Sequence, residues 1–153
     1  MSEARNDFKL VGLRLKGQTT NQDNQSSKDC GDLWQKFEAD KIFDQIPDKL
    51  SNEVYAVYFD YEKDETGTFS YFIGCKVAKD SIPPKGLESL TIPHQKYQKH
   101  LAKGAMPACI TDAWRKIWIS DSKREFGFDF EVYGERCQDW SNAEVDIFVS
   151  VTD

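Results

Sequence analysis

The chain has 153 residues, a net charge of −6 and a pI near 5.0, enough for one domain with a sizeable core and too acidic to favour direct contact with a phosphate backbone. Hydrophobic residues make up 39% and aromatics 13%, a composition that excludes a disordered chain. No apolar run is long enough to cross a membrane, and the start, Met-Ser-Glu-Ala-Arg-Asn-Asp, lacks the apolar segment of a signal peptide. A cytoplasmic protein is therefore expected.

Phe8 to Lys16 alternates loosely through Val11, Leu13 and Leu15 and predicts a first strand. Gly17 to Lys28 is polar and reads as a loop. Ser26-x-x-Asp29 has the form of a capping box ahead of a helix over Gly31–Ala39. Leu33, Trp34 and Phe37 form that helix's apolar stripe. Val54–Tyr61 and Phe69–Ala78 predict two strands, joined by the polar turn Glu62–Gly67. Ser81–Gly86 is a break. Leu87–Leu101 predicts extended structure, bent or at an edge because of Pro93, and Gly104 closes it. A second helix is expected over Pro107–Ser120, then strands over Phe126–Gly134 and Val145–Val151.

The two halves match. Asp32-Leu-Trp-Gln-Lys-Phe37 returns as Asp112-Ala-Trp-Arg-Lys-Ile117, at an offset of 112 − 32 = 80. Lys16-Gly17 and Lys103-Gly104 precede the two helices. Each helix has one strand before it and two after it, so the order is β-α-β-β twice. Halves this small bury little surface alone and are expected to share a core.

Asp129-Phe-Glu-Val-Tyr133 alternates. Phe128, Phe130 and Val132 point one way, and Asp129, Glu131 and Tyr133 the other. On burial preference alone Glu131 would be solvated. If its face is sealed, the carboxylate either raises its pKa or takes a cation. Trp34 and Trp114 occupy matched repeat positions and read as packing. Trp118 corresponds to Glu38 in the first helix, so it is the better candidate for a binding wall. Tyr71 and Tyr133 carry hydroxyls that need partners when buried.

Cys30, Cys75, Cys109 and Cys137 are far apart with no C-x-x-C spacing, and read as free thiols. His94 and His100 lack the neighbours of a metal site. Neither G-x-S-x-G nor a phosphate-binding glycine loop is present.

Leu33-Trp34-x-x-Phe37, Val54–Tyr58, Tyr71-Phe-Ile-Gly74, Trp114-x-x-Ile117-Trp118 and Asp129–Tyr133, taken in this order, resemble the GyrI-like effector-binding domain. The same module binds ligands in some AraC-type and MerR-type regulators. The resemblance implies an α+β fold: a duplicated β-α-β-β unit with antiparallel sheets, two helices, a pseudo-twofold axis and a ligand groove between the halves. It implies a single effector-binding domain over residues 1–153, with halves at approximately 6–80 and 87–153.

The resemblance also implies that Glu131 is the buried acid that receives cationic, aromatic drugs. Trp118, Tyr71, Tyr133, Tyr58 and Phe59 are the expected ligand-binding companions. No catalytic residue, cofactor or metal is assigned. The expected partner is an amphipathic or cationic small molecule, with a separate DNA-binding regulator or DNA gyrase as a possible protein partner, and neither nucleic acid nor membrane. Two alternatives stay open: a gyrase-inhibitor-like interaction module, and a hydrolase of reactive genotoxins using the same pocket. The chain lacks room for a helix-turn-helix before Phe8, and its final strand offers only Phe148 where family members carry pocket tyrosines.

Overall fold

A computed structural model of the chain describes residues 2–64, 66–120 and 123–152. Its strands are β1 (Ser2–Arg5), β2 (Phe8–Arg14), β3 (Thr19–Thr20), β4 (Val54–Phe59), β5 (Thr68–Val77), β6 (Glu88–Ile92), β7 (Gln95–Gly104), β8 (Asp129–Tyr133) and β9 (Ala143–Ser150). The helices are α1 (Gln25–Ala39), α2 (Ile42–Gln45) and α3 (Ala108–Trp118).

All strands join one antiparallel sheet in the order β1-β7-β9-β8-β4-β5-β2-β6, with β3 added beside β5. Read outward from the central β8–β4 pair, the order is the same on both sides: second strand after the helix, then the strand before it. That is the α+β arrangement expected from two β-α-β-β units lying side by side. The ladder at the centre pairs Ala56 with Glu131 and Tyr58 with Asp129.

The sheet is strongly curled. Phe8 on β2 and Phe130 on β8 are separated by two intervening strands, a gap of about 14 Å in a flat sheet. Their rings nevertheless meet at 5.6 Å, and Phe8 also lies 5.7 Å from Tyr55. The inner face of the curl holds an aromatic core of Phe8, Tyr55, Phe59, Tyr97, Phe130 and Phe148. The outer face carries the helices. One core lies under α1 and α2, around Val11, Phe37, Ile73 and Cys75; another lies under α3, around Ala102, Ile117, Val145 and Ile147. Tyr58 and Tyr133 pack against both of these helix-covered cores, so the seam between them runs along the β4–β8 pair.

Gly12 and Gly74 face each other in the β2–β5 ladder. A Cβ at Gly12 would meet the Ile73 carbonyl oxygen at 2.0 Å, which only a bare backbone allows. Gly12→Ala is expected to cost about 1–3 kcal/mol, the usual size of an overpacking penalty, and to lower the urea midpoint without changing the slope of the transition.

Several expectations need correcting. The first helix begins at Gln25, six residues before Gly31. Asp23 and Asn24 turn the chain into it with left-handed backbones, and no side chain caps it. The Ser26–Asp29 capping box does not form: Ser26 donates to Asn21 (2.9 Å), while Asp29 accepts from Thr19 (2.7 Å) and Gln25 (2.9 Å). Leu87–Leu101 is two strands, with Pro93-His94 between them. β6 pairs with β2 and β7 with β1 and β9, so the strand after the break at Ser81–Gly86 completes the sheet edge of the first half. Among the described residues no helix is long and apolar enough to cross a membrane.

Candidate functional site

Alternation on β8 sends Phe130 and Val132 to the inner core and Asp129, Glu131 and Tyr133 to the helix-covered face. Neither acid reaches solvent: Asp129 is 0% and Glu131 1% exposed. The solvated reading of Glu131 is overturned, because Trp114, Tyr58 and Tyr133 close over it at the seam between the helices.

The two acids are satisfied in opposite ways. Asp129 accepts the backbone N–H (2.7 Å) and hydroxyl (2.7 Å) of Ser150 on one oxygen. On the other it accepts the Tyr61 hydroxyl at 2.7 Å and an Arg124 guanidinium N–H at 2.8 Å. Its charge is paired inside the protein. Glu131 accepts from Tyr58 (2.8 Å) and Trp114 Nε1 (2.6 Å) on Oε2, and from Tyr133 (2.5 Å) on Oε1. All three donors are neutral. Burial raises the Glu131 pKa above the ordinary carboxylate value, opposed in part by these hydrogen bonds. The hydroxyls of Tyr58, Tyr71 and Tyr133 are pushed well above their normal range, first by burial and then by neighbouring groups, Glu131 for Tyr58 and Tyr133 and Cys30 ahead of Glu131 for Tyr71, so they stay neutral.

In front of this carboxylate lies a cavity of about 210 Å³. The start of α1 forms one wall with Ser26, Ser27 and Cys30, and α3 forms the other with Ile110, Trp114 and Trp118. Tyr58, Tyr61 and Phe69 form the floor, and Asn21, Asn24, Thr111, Arg115 and Arg124 also line the cavity among the described residues. Glu131 sits behind Tyr58 and Trp114, both of which touch the cavity and the carboxylate. The arrangement is an aromatic wall with an acid at its back. Such a wall attracts a cation through ring faces and through the charge behind them.

The structure gathers Glu131, Tyr58, Trp118 and Tyr133 around the seam. Tyr58 and Trp118 line the cavity, whereas Tyr133 holds the carboxylate from behind and packs edge-on against Trp34 at 5.1 Å. Tyr71 is buried beneath the cavity, 5.0 Å from the Tyr58 ring, and accepts from Trp34 Nε1 at 2.8 Å. Phe59 lies elsewhere. It follows Tyr58 along β4, so it must face the other way. It stacks on Phe128 at 5.4 Å on the inner face, with the Arg14 guanidinium 4.9 Å from its ring centroid.

Trp114 is the residue that sequence reasoning missed. Its match to Trp34 pointed to packing, yet each indole N–H ends on a polar partner, Tyr71 in one half and Glu131 in the other. A buried indole N–H needs an acceptor, and that was the available signal. Trp114→Phe keeps the ring but leaves Oε2 with Tyr58 alone. It is expected to cost about 1.5–3 kcal/mol, the worth of a hydrogen bond to a charged group, in a denaturant melt at pH 8, with a smaller loss at pH 4, below the ordinary carboxylate value, where Glu131 holds its proton.

The sequence over residues 3–151 matches the Cass2 family, described as integron-associated effector binding protein. The chain belongs to this family. It is similar over 99% of its length to an integron cassette protein from the mobile metagenome of Vibrio cholerae, covering 94% of that chain at 29% identity and a TM-score of 0.72. The fold is also that of SAV2435, whose structure was solved with tetraphenylphosphonium. There the identity is 16% and the TM-score 0.79, over 99% of this chain and 93% of that one. YobU of Bacillus subtilis (strain 168), provisionally named a transcriptional regulator, is 27% identical over 101 residues, 64% of this chain. The match takes in 63% of YobU's own length. The Cass2 family is thus one of effector binding, on the same fold as a protein that holds a cationic ligand.

Proposed function

We propose that this protein is a single effector-binding domain of two repeated halves that holds a lipophilic, aromatic cation in the cavity between α1 and α3, within the cytoplasm. The observation that carries the reading is Glu131: 1% exposed, bonded among the described residues to three neutral donors and to no cation, directly behind the aromatic lining. A buried carboxylate without an opposite charge is costly, and a ligand cation relieves that cost. The aromatic wall provides shape tolerance, while one acid provides charge selectivity.

Membership of an effector-binding family and the cation held by SAV2435 support this assignment, and the likeness to YobU supports a link to transcription regulation through a partner chain. The test is a calorimetric titration with tetraphenylphosphonium and with triphenylphosphine oxide, a neutral molecule of related shape. The cation is expected to bind at least about tenfold more tightly, the size of a charge interaction of about 1.4 kcal/mol. Equal affinities would remove the cation-seeking role.

A further inference from the structure

Tyr61 stands on the cavity floor because the chain breaks its own alternation. Phe59 ends β4 on the inner face, and strict alternation would carry Tyr61 to the same side. Asp60, between them, takes a left-handed backbone (φ 51°), a conformation that residues with a side chain adopt at a cost. Its carbonyl accepts from Gln18 Nε2 at 2.9 Å. The kink returns Tyr61 to the cavity side, where it joins Tyr58, Phe69 and Trp114 in the lining. These four rings are continuous. Trp114 lies 5.2 Å from Tyr58, Tyr58 lies 5.6 Å from Phe69, and Phe69 lies 5.8 Å from Tyr61. Each phenol is pinned by a buried acid: Tyr58 donates to Glu131 at 2.8 Å and Tyr61 to Asp129 at 2.7 Å. The two ends of the strip differ in charge. At the Tyr58 end Glu131 is bonded, among the described residues, to neutral donors. At the Tyr61 end Asp129 already has a counter-ion, the Arg124 guanidinium at 2.8 Å.

From this arrangement we infer that Phe69 and Tyr61 form a neutral aryl subsite beside the cation seat, and that the ligand is an elongated aromatic monocation with its charge at one end. The charged ring lies against Tyr58 and Trp114, in front of Glu131. An uncharged second ring lies against Phe69 and Tyr61. Apolar area and edge-to-face contact with those two rings favour an aryl group there. A second charge at that end is disfavoured, since it would lose its water against rings whose nearby acid is already paired. This inference rests on the cation reading of the same cavity and adds the ligand's shape and the chemistry of its other end.

The test is calorimetry on the full chain at pH 8 with 1-methylpyridinium, 1-methyl-4-phenylpyridinium, neutral 4-phenylpyridine and the dication 1,1′-dimethyl-4,4′-bipyridinium. The dication matches the phenyl compound in length but is charged at both ends. The phenyl monocation is expected to bind about tenfold or more tightly than 1-methylpyridinium, from the second ring's contacts. The dication is expected to bind about fivefold or more weakly than the phenyl monocation. Tyr61→Leu, which removes a ring and keeps an apolar side chain, should shrink the phenyl gain to within about threefold. Phe69→Leu should shrink it likewise, and it decides the matter if Tyr61→Leu, which also withdraws a donor from Asp129, fails to fold. If the two monocations bind alike, or the dication binds as tightly as the phenyl monocation, the aryl subsite is overturned; the cation reading stands so long as the phenyl cation outbinds 4-phenylpyridine. A phenyl gain that survives in the folded variants also overturns the subsite. Were 4-phenylpyridine to bind as tightly as its methylated cation, or no probe to bind at all, the cation reading would fall and the subsite with it.

Discussion

Asp129→Asn is expected to cost about 3–5 kcal/mol of folding stability, the loss seen when one partner of a buried ion pair is removed. The substituted amide keeps an oxygen for the Ser150 N–H and hydroxyl. Its nitrogen then faces the Tyr61 hydroxyl and the Arg124 N–H, two donors that the carboxylate oxygen had accepted. Arg124, with a side chain 6% exposed, loses the carboxylate charge of Asp129. Guanidinium melts at pH 7 measure the loss, and a variant within about 1 kcal/mol of the wild type would remove the structural role given to this acid.

Two residues along the same strand, Glu131→Gln is expected to act in the opposite direction. No buried cation is stranded by it. The amide oxygen can still accept from Tyr58 and Trp114, and the Tyr133 hydroxyl can rotate to accept from the new N–H. The sign of the pH dependence follows from the raised folded-state pKa. The folded protein keeps the Glu131 proton over a range where the unfolded chain has lost it, so stability is highest below the ordinary carboxylate pKa. It falls as pH rises from there through the raised folded value. The substitution removes this slope. At pH 8 the variant is expected to melt above the wild type, by roughly 2–4 °C for each kcal/mol of relieved burial cost in a chain of this length. At pH 4 the two should converge. A variant that melts lower than the wild type at pH 8 would mean that the carboxylate stabilises the empty protein. The same substitution is expected to weaken cation binding roughly tenfold to a hundredfold, since one charge several Å away is worth about 2 kcal/mol at an effective dielectric near 20.

These two acids show where the sequence was informative and where it was not. The β-α-β-β order was legible because alternation and helical spacing differ, and because Asp32–Phe37 and Asp112–Ile117 repeat. The strands paired by tertiary contact were not legible. β1 has no apolar residue beyond Ala4 and exists through its ladder with β7. The first two turns of α1 are polar and carry no stripe, so periodicity alone could not extend the helix to Gln25.

At the site, alternation gave the shared face of Asp129, Glu131 and Tyr133. Their burial depends on Trp114 and on the seam between the helix-covered cores, which is a matter of packing and not of pattern. The resemblance singled out Glu131; its hydrogen bonds explain why that position differs from Asp129. Phe59 was grouped with Tyr58, its neighbour in sequence, although adjacent strand residues face apart and Phe59 lies on the inner face. The ladder adds one further point: Glu131 is paired with Ala56 across the centre of the sheet, so the acid has a methyl group where a second charge would stand.

The most direct measurement is the dissociation constant of tetraphenylphosphonium for the wild type and for Glu131→Gln, followed by calorimetry from pH 4, below the ordinary carboxylate value, upward to pH 8. Wild-type affinity should rise with pH as Glu131 loses its proton, with proton release on binding at the acidic end. The variant should bind more weakly at pH 8 and show a flat profile. Equal affinities, or the same pH profile in both proteins, would contradict the claim that a buried, unpaired carboxylate draws the ligand into this cavity.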